Sequence, residues 1–138
     1  MTTIEVKSEI NASIDKVWSV ISDMDNEPKF WKGTKQVKNI SREGNIINRE
    51  VTIAFRDQKC LQTVKLEPKK RITVKFTKGI INGEKIIELT PKGEKTLLHT
   101  IWNVKLTGMM GIFTGIIKNH IKGGTEQALQ NIKEEIER

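Results

Sequence analysis

The beginning of the chain changes from a two-residue hydrophobic period to a helical one. Residues 4–10 alternate between Ile, Val or Ser and charged side chains, which predicts a half-buried strand. Ser13 can then cap a helix whose apolar residues recur at helical spacing. Those apolar residues are Ile14, Val17, Trp18, Ile21 and Met24. Because Pro28 disfavours a helical residue before it, this helix should end near 23–26, and a short second helix or turn should follow at 28–31.

From residue 34 to residue 106 the hydrophobic period is two, and short breaks divide the region into six predicted strands. The clearest of these strands cover 46–55, 60–66, 71–78, 84–90 and 96–106. The breaks are rich in Gly, Asn, Asp and Pro, and Asn82-Gly83 is a strong signal for a two-residue hairpin. Short turns join antiparallel neighbours. Together with the first strand, the pattern predicts one antiparallel sheet of seven strands.

The helical period returns after Gly108. One broad apolar stripe contains Ile117, Ile121, Ala128, Ile132 and Ile136. Gly123 and Gly124 lie inside this pattern and should weaken or bend the helix, since each costs about 1 kcal/mol relative to Ala. The apolar face of the sheet needs a cover, and this long helix is the available one. Because a strongly twisted sheet curls, a curved sheet around a single helix should leave a cavity between them.

Composition limits the classes of protein that fit this pattern. A length of 138 residues suits a single domain, residues 1–138. The one cysteine, Cys60, excludes an internal disulfide and a cysteine-based zinc site. No apolar run approaches the roughly 20 residues needed to cross a bilayer, and Glu5 and Lys7 argue against a signal peptide. We therefore expect a reduced, cytoplasmic protein that has neither a metal nor a cofactor.

The order of these elements resembles the α+β helix-grip fold of the START-related and birch-pollen-allergen-like superfamily (SRPBCC), of the polyketide cyclase and lipid-transport type. The residues that carry the local resemblance are Ile10, Ala12, Val17, Trp18, Ile21, Asp23, Pro28 and Trp31. The order of elements covers nearly the whole chain, whereas these residues maintain the fold. The resemblance implies a cavity for a lipid, polyketide, quinone or other hydrophobic ligand, in a carrier, a sensor or a cyclase.

The candidate binding site consists of side chains on the inward faces of the predicted elements. Its apolar walls are expected to be Val51, Ile53, Val64, Phe76, Ile87, Trp102, Ile117 and Ile121. Strand alternation also turns Arg49, Gln62 and Lys85 inward. Because a buried unpaired charge is costly, these three should reach water at strand ends, pair internally or contact a ligand head group. An inward Lys85 or Arg49 would suit an acidic head group.

The sequence offers few candidates for catalysis. His99 and His120 lie on different elements without metal-binding spacing. His120 lies beside the stripe of the last helix, where a surface position explains it best and an acid–base role is the alternative. The leading hypothesis is therefore non-enzymatic binding or transfer of a hydrophobic small molecule. A cyclase/dehydratase-like or hydrolytic enzyme that uses the same cavity is the alternative.

Two further features bear on partners. The segment 108–117 is apolar and rich in Gly and Met, and it fits a buried junction, a gate at the cavity mouth or a transient contact with a membrane surface. The net charge of +7 is spread over turns and outward strand faces, and aromatic residues make up only 5%, which disfavours nucleic-acid binding. A basic protein associated with a membrane surface or nucleic acid is the second alternative, and the oligomeric state stays open.

Overall fold

The computed structural model describes residues 2–106 and 114–138, in which seven strands form one antiparallel sheet beside three α-helices. The strands are β1 (Thr2–Ile10), β2 (Thr34–Glu43), β3 (Ile46–Ile53), β4 (Lys59–Glu67), β5 (Arg71–Lys78), β6 (Ile81–Lys92) and β7 (Lys95–Leu106). The helices are α1 (Ile14–Ile21), α2 (Glu27–Phe30) and α3 (Thr114–Glu137). The predicted helix-grip architecture is confirmed. Most of the segment 108–117 lies outside the described residues. The three interpretations of this segment therefore remain predictions.

The sheet has the strand order β1-β7-β6-β5-β4-β3-β2. Strands β2 to β7 form the predicted meander, and β1 joins the far side of β7, where Ile4 lies opposite Trp102. β2 is therefore one edge of the sheet, and its pairing with β3 is irregular between Thr34 and Gln36 and between Asn39 and Ser41. Since every neighbour is antiparallel, the short turns that the sequence predicted are sufficient to connect the meander.

The predicted hairpin turn at Asn82-Gly83 is wrong. β5 ends at Lys78 and β6 begins at Ile81, so the turn lies three residues earlier. Gly83 is inside β6, where it pairs with Phe76 on one side and Val104 on the other. Its φ is 118°, and a Cβ built on it would lie 2.1 Å from the carbonyl oxygen of Asn103. Glycine is needed here because the backbone of β7 approaches closely.

The two halves of α3 have different surroundings. The helix continues through Gly123 and Gly124 without interruption. Its C-terminal half is buried in the core through Ala128, Leu129, Ile132 and Ile136. The N-terminal half has fewer buried side chains. The core thus fills one end of the space beneath the sheet and leaves the other end less tightly packed.

Helix α1 begins as predicted, with the Ser13 side chain accepting a hydrogen bond from the backbone N–H of Lys16. It buries Val17 and Ile21 and is followed by a single 3₁₀ turn, Met24–Asn26, before α2. Pro28 lies in the first turn of α2, where its missing N–H costs nothing. This arrangement carries Glu27 and Trp31 beneath the sheet, where both are buried.

Candidate ligand-binding site

A cavity of about 720 Å³ lies beneath the sheet beside the N-terminal half of α3. Strands β3 to β7, the turn after β3, and α2 with the residues after it supply the other walls. Of the twelve residues predicted for the site, eight border the cavity. These eight are Ile53, Gln62, Phe76, Lys85, Trp102, Ile117, His120 and Ile121. The fold thus brings these eight residues together from separate strands and from α3. Their role in ligand binding stays a prediction.

The other four predicted residues do not border this cavity. Val51 and Val64 are fully buried in the core, and Ile87 borders a much smaller void beside Phe30. Arg49 is also fully buried and is held by polar partners of its own. The expectation that Arg49, Gln62 and Lys85 reach water at strand ends is wrong, because all three are buried inside the sheet's inner face.

Aromatic rings form one wall of the cavity. Trp102 stacks on Phe76 with ring centroids 6.1 Å apart and meets Trp31 edge-on at 6.3 Å. The Trp102 indole N–H donates to the Thr125 hydroxyl at 3.0 Å, and that hydroxyl donates to the Ile121 carbonyl at 2.7 Å. Because the buried Trp102 N–H and the Thr125 hydroxyl both have hydrogen-bond partners, these bonds hold the aromatic wall in position.

A buried ion pair joins Glu27, which borders the cavity, to Arg49, which does not. The Arg49 guanidinium donates from Nη2 to Glu27 Oε1 at 2.7 Å and from Nε to Gln62 Oε1 at 2.9 Å. A longer bond of 3.3 Å runs from Nη1 to the Met24 carbonyl, and Thr34 donates to Glu27 Oε2 at 2.7 Å. Burial by itself raises the pKa of the Glu27 carboxyl, but the charges of Lys85 and Arg49 and these hydrogen bonds lower it to about 2. Glu27 is therefore ionised at neutral pH.

Lys85 differs from Arg49 in that no described carboxylate lies within ion-pair distance of its amine. Its Nζ lies 3.9 Å from the ring centroid of Trp31 and 5.1 Å from that of Trp102. Among the residues that the structure describes, it forms no hydrogen bond and no ion pair. Burial lowers the pKa of this amine, the charge of Glu27 opposes that change, and the charge of Arg49 adds to it. An amine with a lowered pKa thus borders the cavity, and aromatic faces are its neighbours.

The sequence interpretation missed several residues of the site. Glu27, Trp31, Thr34 and Thr125 all border the cavity and hold its polar groups in place. Glu27 had no predicted role in the site, and its partner Arg49 is 22 residues away. One signal in the sequence could have pointed to Glu27. Strand alternation turns two cations, Arg49 and Lys85, inward, and buried cations are expected to have a carboxylate partner, which must then come from another element.

Other reactive groups contribute less to the site. His120 borders the cavity on an exposed part of α3, and no described carboxylate lies within ion-pair distance of it. Burial raises the pKa of the Cys60 thiol, which disfavours the reactive thiolate. In the described residues, no three His, Cys, Asp or Glu side chains are grouped as a metal site would require. No helix within the described ranges is long and apolar enough to cross a membrane.

Comparison with known proteins agrees with this fold. One similar structure is a protein from Thermus thermophilus with a TM-score of 0.85 and 16% identity, aligned over 98% of this chain and 97% of the other. A second is the Zhui aromatase/cyclase from Streptomyces sp. R1128, with a TM-score of 0.81, 14% identity, and coverage of 99% and 94%. A third is a START superfamily protein from Mycobacterium smegmatis, with a TM-score of 0.78, 18% identity, and coverage of 97% and 98%.

Identities this low show a shared fold and do not identify a ligand. No curated protein sequence matches the chain. The model of the polyketide cyclase/dehydrase and lipid-transport family, by contrast, matches residues 1–137. With the helix-grip topology that it shares with these structures, the chain belongs to the polyketide cyclase/dehydrase and lipid-transport family.

Proposed function

We propose that this protein binds or transfers a hydrophobic small molecule, such as a lipid, a polyketide or a quinone, in the cavity between the sheet and α3. The observation that carries the proposal is the cavity itself. Its volume of about 720 Å³ falls within the roughly 300–1,000 Å³ that is typical of small-molecule sites. Its walls are mainly apolar and aromatic, with a few polar groups at one place, which is the usual composition of a binding pocket.

The proposal is tested with N-phenyl-1-naphthylamine, a neutral apolar dye that fluoresces when it leaves water. We expect the purified protein to bind the dye with a saturable rise in fluorescence. Gly124 borders the cavity, and a Cβ built on it meets no atom within 4 Å. A Gly124→Phe side chain would therefore occupy part of the cavity, and the affinity for the dye should fall at least tenfold.

Gly123 provides the matched control for this variant. It is the preceding residue of the same helix, a Cβ there also meets nothing within 4 Å, and it does not border the cavity. Gly123→Phe should leave dye binding unchanged, and both variants should fold, because Phe has a better helix propensity than Gly. If the wild-type protein does not bind the dye, or if both variants bind it equally well, the proposal is wrong.

The enzymatic alternative, a cyclase/dehydratase-like or hydrolytic activity, would use His120 or an inward Lys or Arg as the acid or base. A partner that orients the imidazole would favour such a role for His120, and the described residues place no carboxylate beside it. The geometry therefore supports binding better than catalysis. Once a substrate is known, loss of turnover in His120→Gln with unchanged substrate affinity would favour the enzyme over the binding protein.

A transient contact with a membrane is favoured by two exposed apolar side chains at the edge of the cavity. Phe55 is 40% exposed and Ile116 is 61% exposed, and both border the cavity from different elements. Arg56 follows Phe55 directly and Lys118 lies two residues after Ile116, so both cations would be near an anionic lipid surface in such a contact. A ligand could then pass between the bilayer and the cavity without crossing water.

Vesicle sedimentation tests this contact. The protein should bind vesicles that contain phosphatidylglycerol and should not bind vesicles of phosphatidylcholine alone. Ile116→Ser should weaken the binding, whereas Ile40→Ser should not, since Ile40 is also 61% exposed but does not border the cavity. If both variants lose vesicle binding equally, the effect is a general one of surface hydrophobicity. The edge of the cavity is then not the site of membrane contact.

A further inference from the structure

The ionic side chains buried beside the cavity do not balance in charge. Arg49 and Lys85 are cations, and Glu27 is the only buried carboxylate among the described residues. Both oxygens of Glu27 are already engaged, one by Arg49 and the other by Thr34. With both cations protonated, the cluster therefore has a surplus positive charge. A buried charge is costly unless a counter-ion compensates it.

The surplus charge is located on Lys85. Arg49 is fully buried and has three acceptors, whereas Lys85 borders the cavity and has none among the described residues. The faces of Trp31 and Trp102 attract a cation, but they offer no oxygen to its N–H donors. A lysine has three such donors when it is protonated. The cavity wall thus has one point where an acceptor with a negative charge would be strongly favoured.

We propose that the molecule bound in the cavity is an apolar compound that ends in an oxyanion, such as a carboxylate, and that this group pairs with Lys85 Nζ. The proposal rests on the proposed function and names the chemical class of its ligand. The oxyanion would restore charge balance, with two anions for two cations, and would accept the hydrogen bonds that no described residue accepts from Lys85. Arg49, the other candidate from the sequence, is excluded because it does not border the cavity.

The same arrangement couples binding to protonation. An anion beside Lys85 favours the ammonium form, so the bound complex should hold its proton to a higher pH than the free protein does. The other charged groups around the cavity are Glu27 on α2, Arg49 on β3, Arg56 in the turn after β3, and His120 on α3. His120 is the only imidazole among them, so His120→Gln separates its contribution from that of Lys85.

The test compares two dyes with the same apolar body. 8-Anilinonaphthalene-1-sulfonate carries a sulfonate, and N-phenyl-1-naphthylamine lacks it. Lys85→Met should reduce the affinity for the sulfonate dye by about tenfold or more, as expected for loss of a desolvated charge pair, and should change the affinity for the neutral dye much less. Lys85→Arg should keep most of the preference for the sulfonate. Affinity for the sulfonate dye should fall as pH rises through the pKa of Lys85, also in His120→Gln.

Lys75→Met is the matched control, because Lys75 is an exposed lysine on the outer face of β5 and its loss removes the same net charge. It should change neither affinity. If the neutral dye binds but Lys85→Met does not lower the affinity for the sulfonate dye, or if Lys75→Met lowers it equally, the anionic ligand is excluded while the proposed function stands. If neither dye binds to the wild-type protein, the proposed function itself fails.

Discussion

Replacing Glu27 by Gln should destabilise the protein in a way that depends on pH. The carboxyl has a pKa of about 2 in the folded protein, against 4.5 as its ordinary value. At about 1.4 kcal/mol per pKa unit, this difference corresponds to about 3 kcal/mol of stability. The sign follows from the lowered pKa: the contribution is complete above about pH 4.5 and is lost as pH falls toward 2. Breaking a buried ion pair independently suggests roughly 3–5 kcal/mol.

Urea unfolding followed by tryptophan fluorescence and circular dichroism measures this effect. At pH 7 the free energy of unfolding of Glu27→Gln should be lower than that of the wild type by about 3 kcal/mol, a large part of the roughly 5–15 kcal/mol typical of a domain. The difference should shrink as pH approaches 2, because a protonated Glu resembles Gln.

The control is Asp15→Asn, which breaks the exposed ion pair with Lys69, where the two side chains are 69% and 58% exposed. It should cost less than about 1 kcal/mol at any pH. A loss below about 1 kcal/mol for Glu27→Gln at pH 7, or a difference that does not change with pH, would refute the assignment of Glu27 as the ionised partner of Arg49.

Two further substitutions, Lys85→Met and Gly83→Ala, test the packing of β6. Lys85→Met should raise the free energy of unfolding by about 1 kcal/mol at pH 7, since it removes a buried amine that has no acceptor among the described residues. Because folding lowers the pKa of Lys85, wild-type stability should increase as pH rises toward 10.5, and urea unfolding of Lys85→Met should lack that increase. Gly83→Ala should cost about 3 kcal/mol or more in thermal unfolding because of Asn103. Gly93→Ala, with φ 63° and open space, should cost only about 1 kcal/mol.

The hydrophobic period was sufficient to predict the seven strands, because strand alternation is a local property. The Asn82-Gly83 signal failed for a non-local reason. A glycine with positive φ is needed both in a tight turn and where another strand passes closely, and only the position of β7 beside Gly83 distinguishes the two cases.

The site was predicted less completely than the fold. Alternation correctly turned Arg49 and Lys85 to the inner face of the sheet. It did not separate the residues at the cavity from those in the core, because that division depends on where α1 and the C-terminal half of α3 fill the space. Val51 and Ile53 illustrate this: they lie on the same strand two residues apart, yet only Ile53 borders the cavity.

The irregular pairing of β2 has a consequence for how copies of this protein behave at high concentration. An open edge strand presents unpaired backbone groups, on which a second sheet can grow. Ile40, an exposed apolar residue of β2, falls at the bulge between Asn39 and Ser41, where the ladder is interrupted. Lys35, Lys38 and Arg42 place positive charge along the same strand. Part of the basic excess therefore protects the sheet from edge-to-edge aggregation.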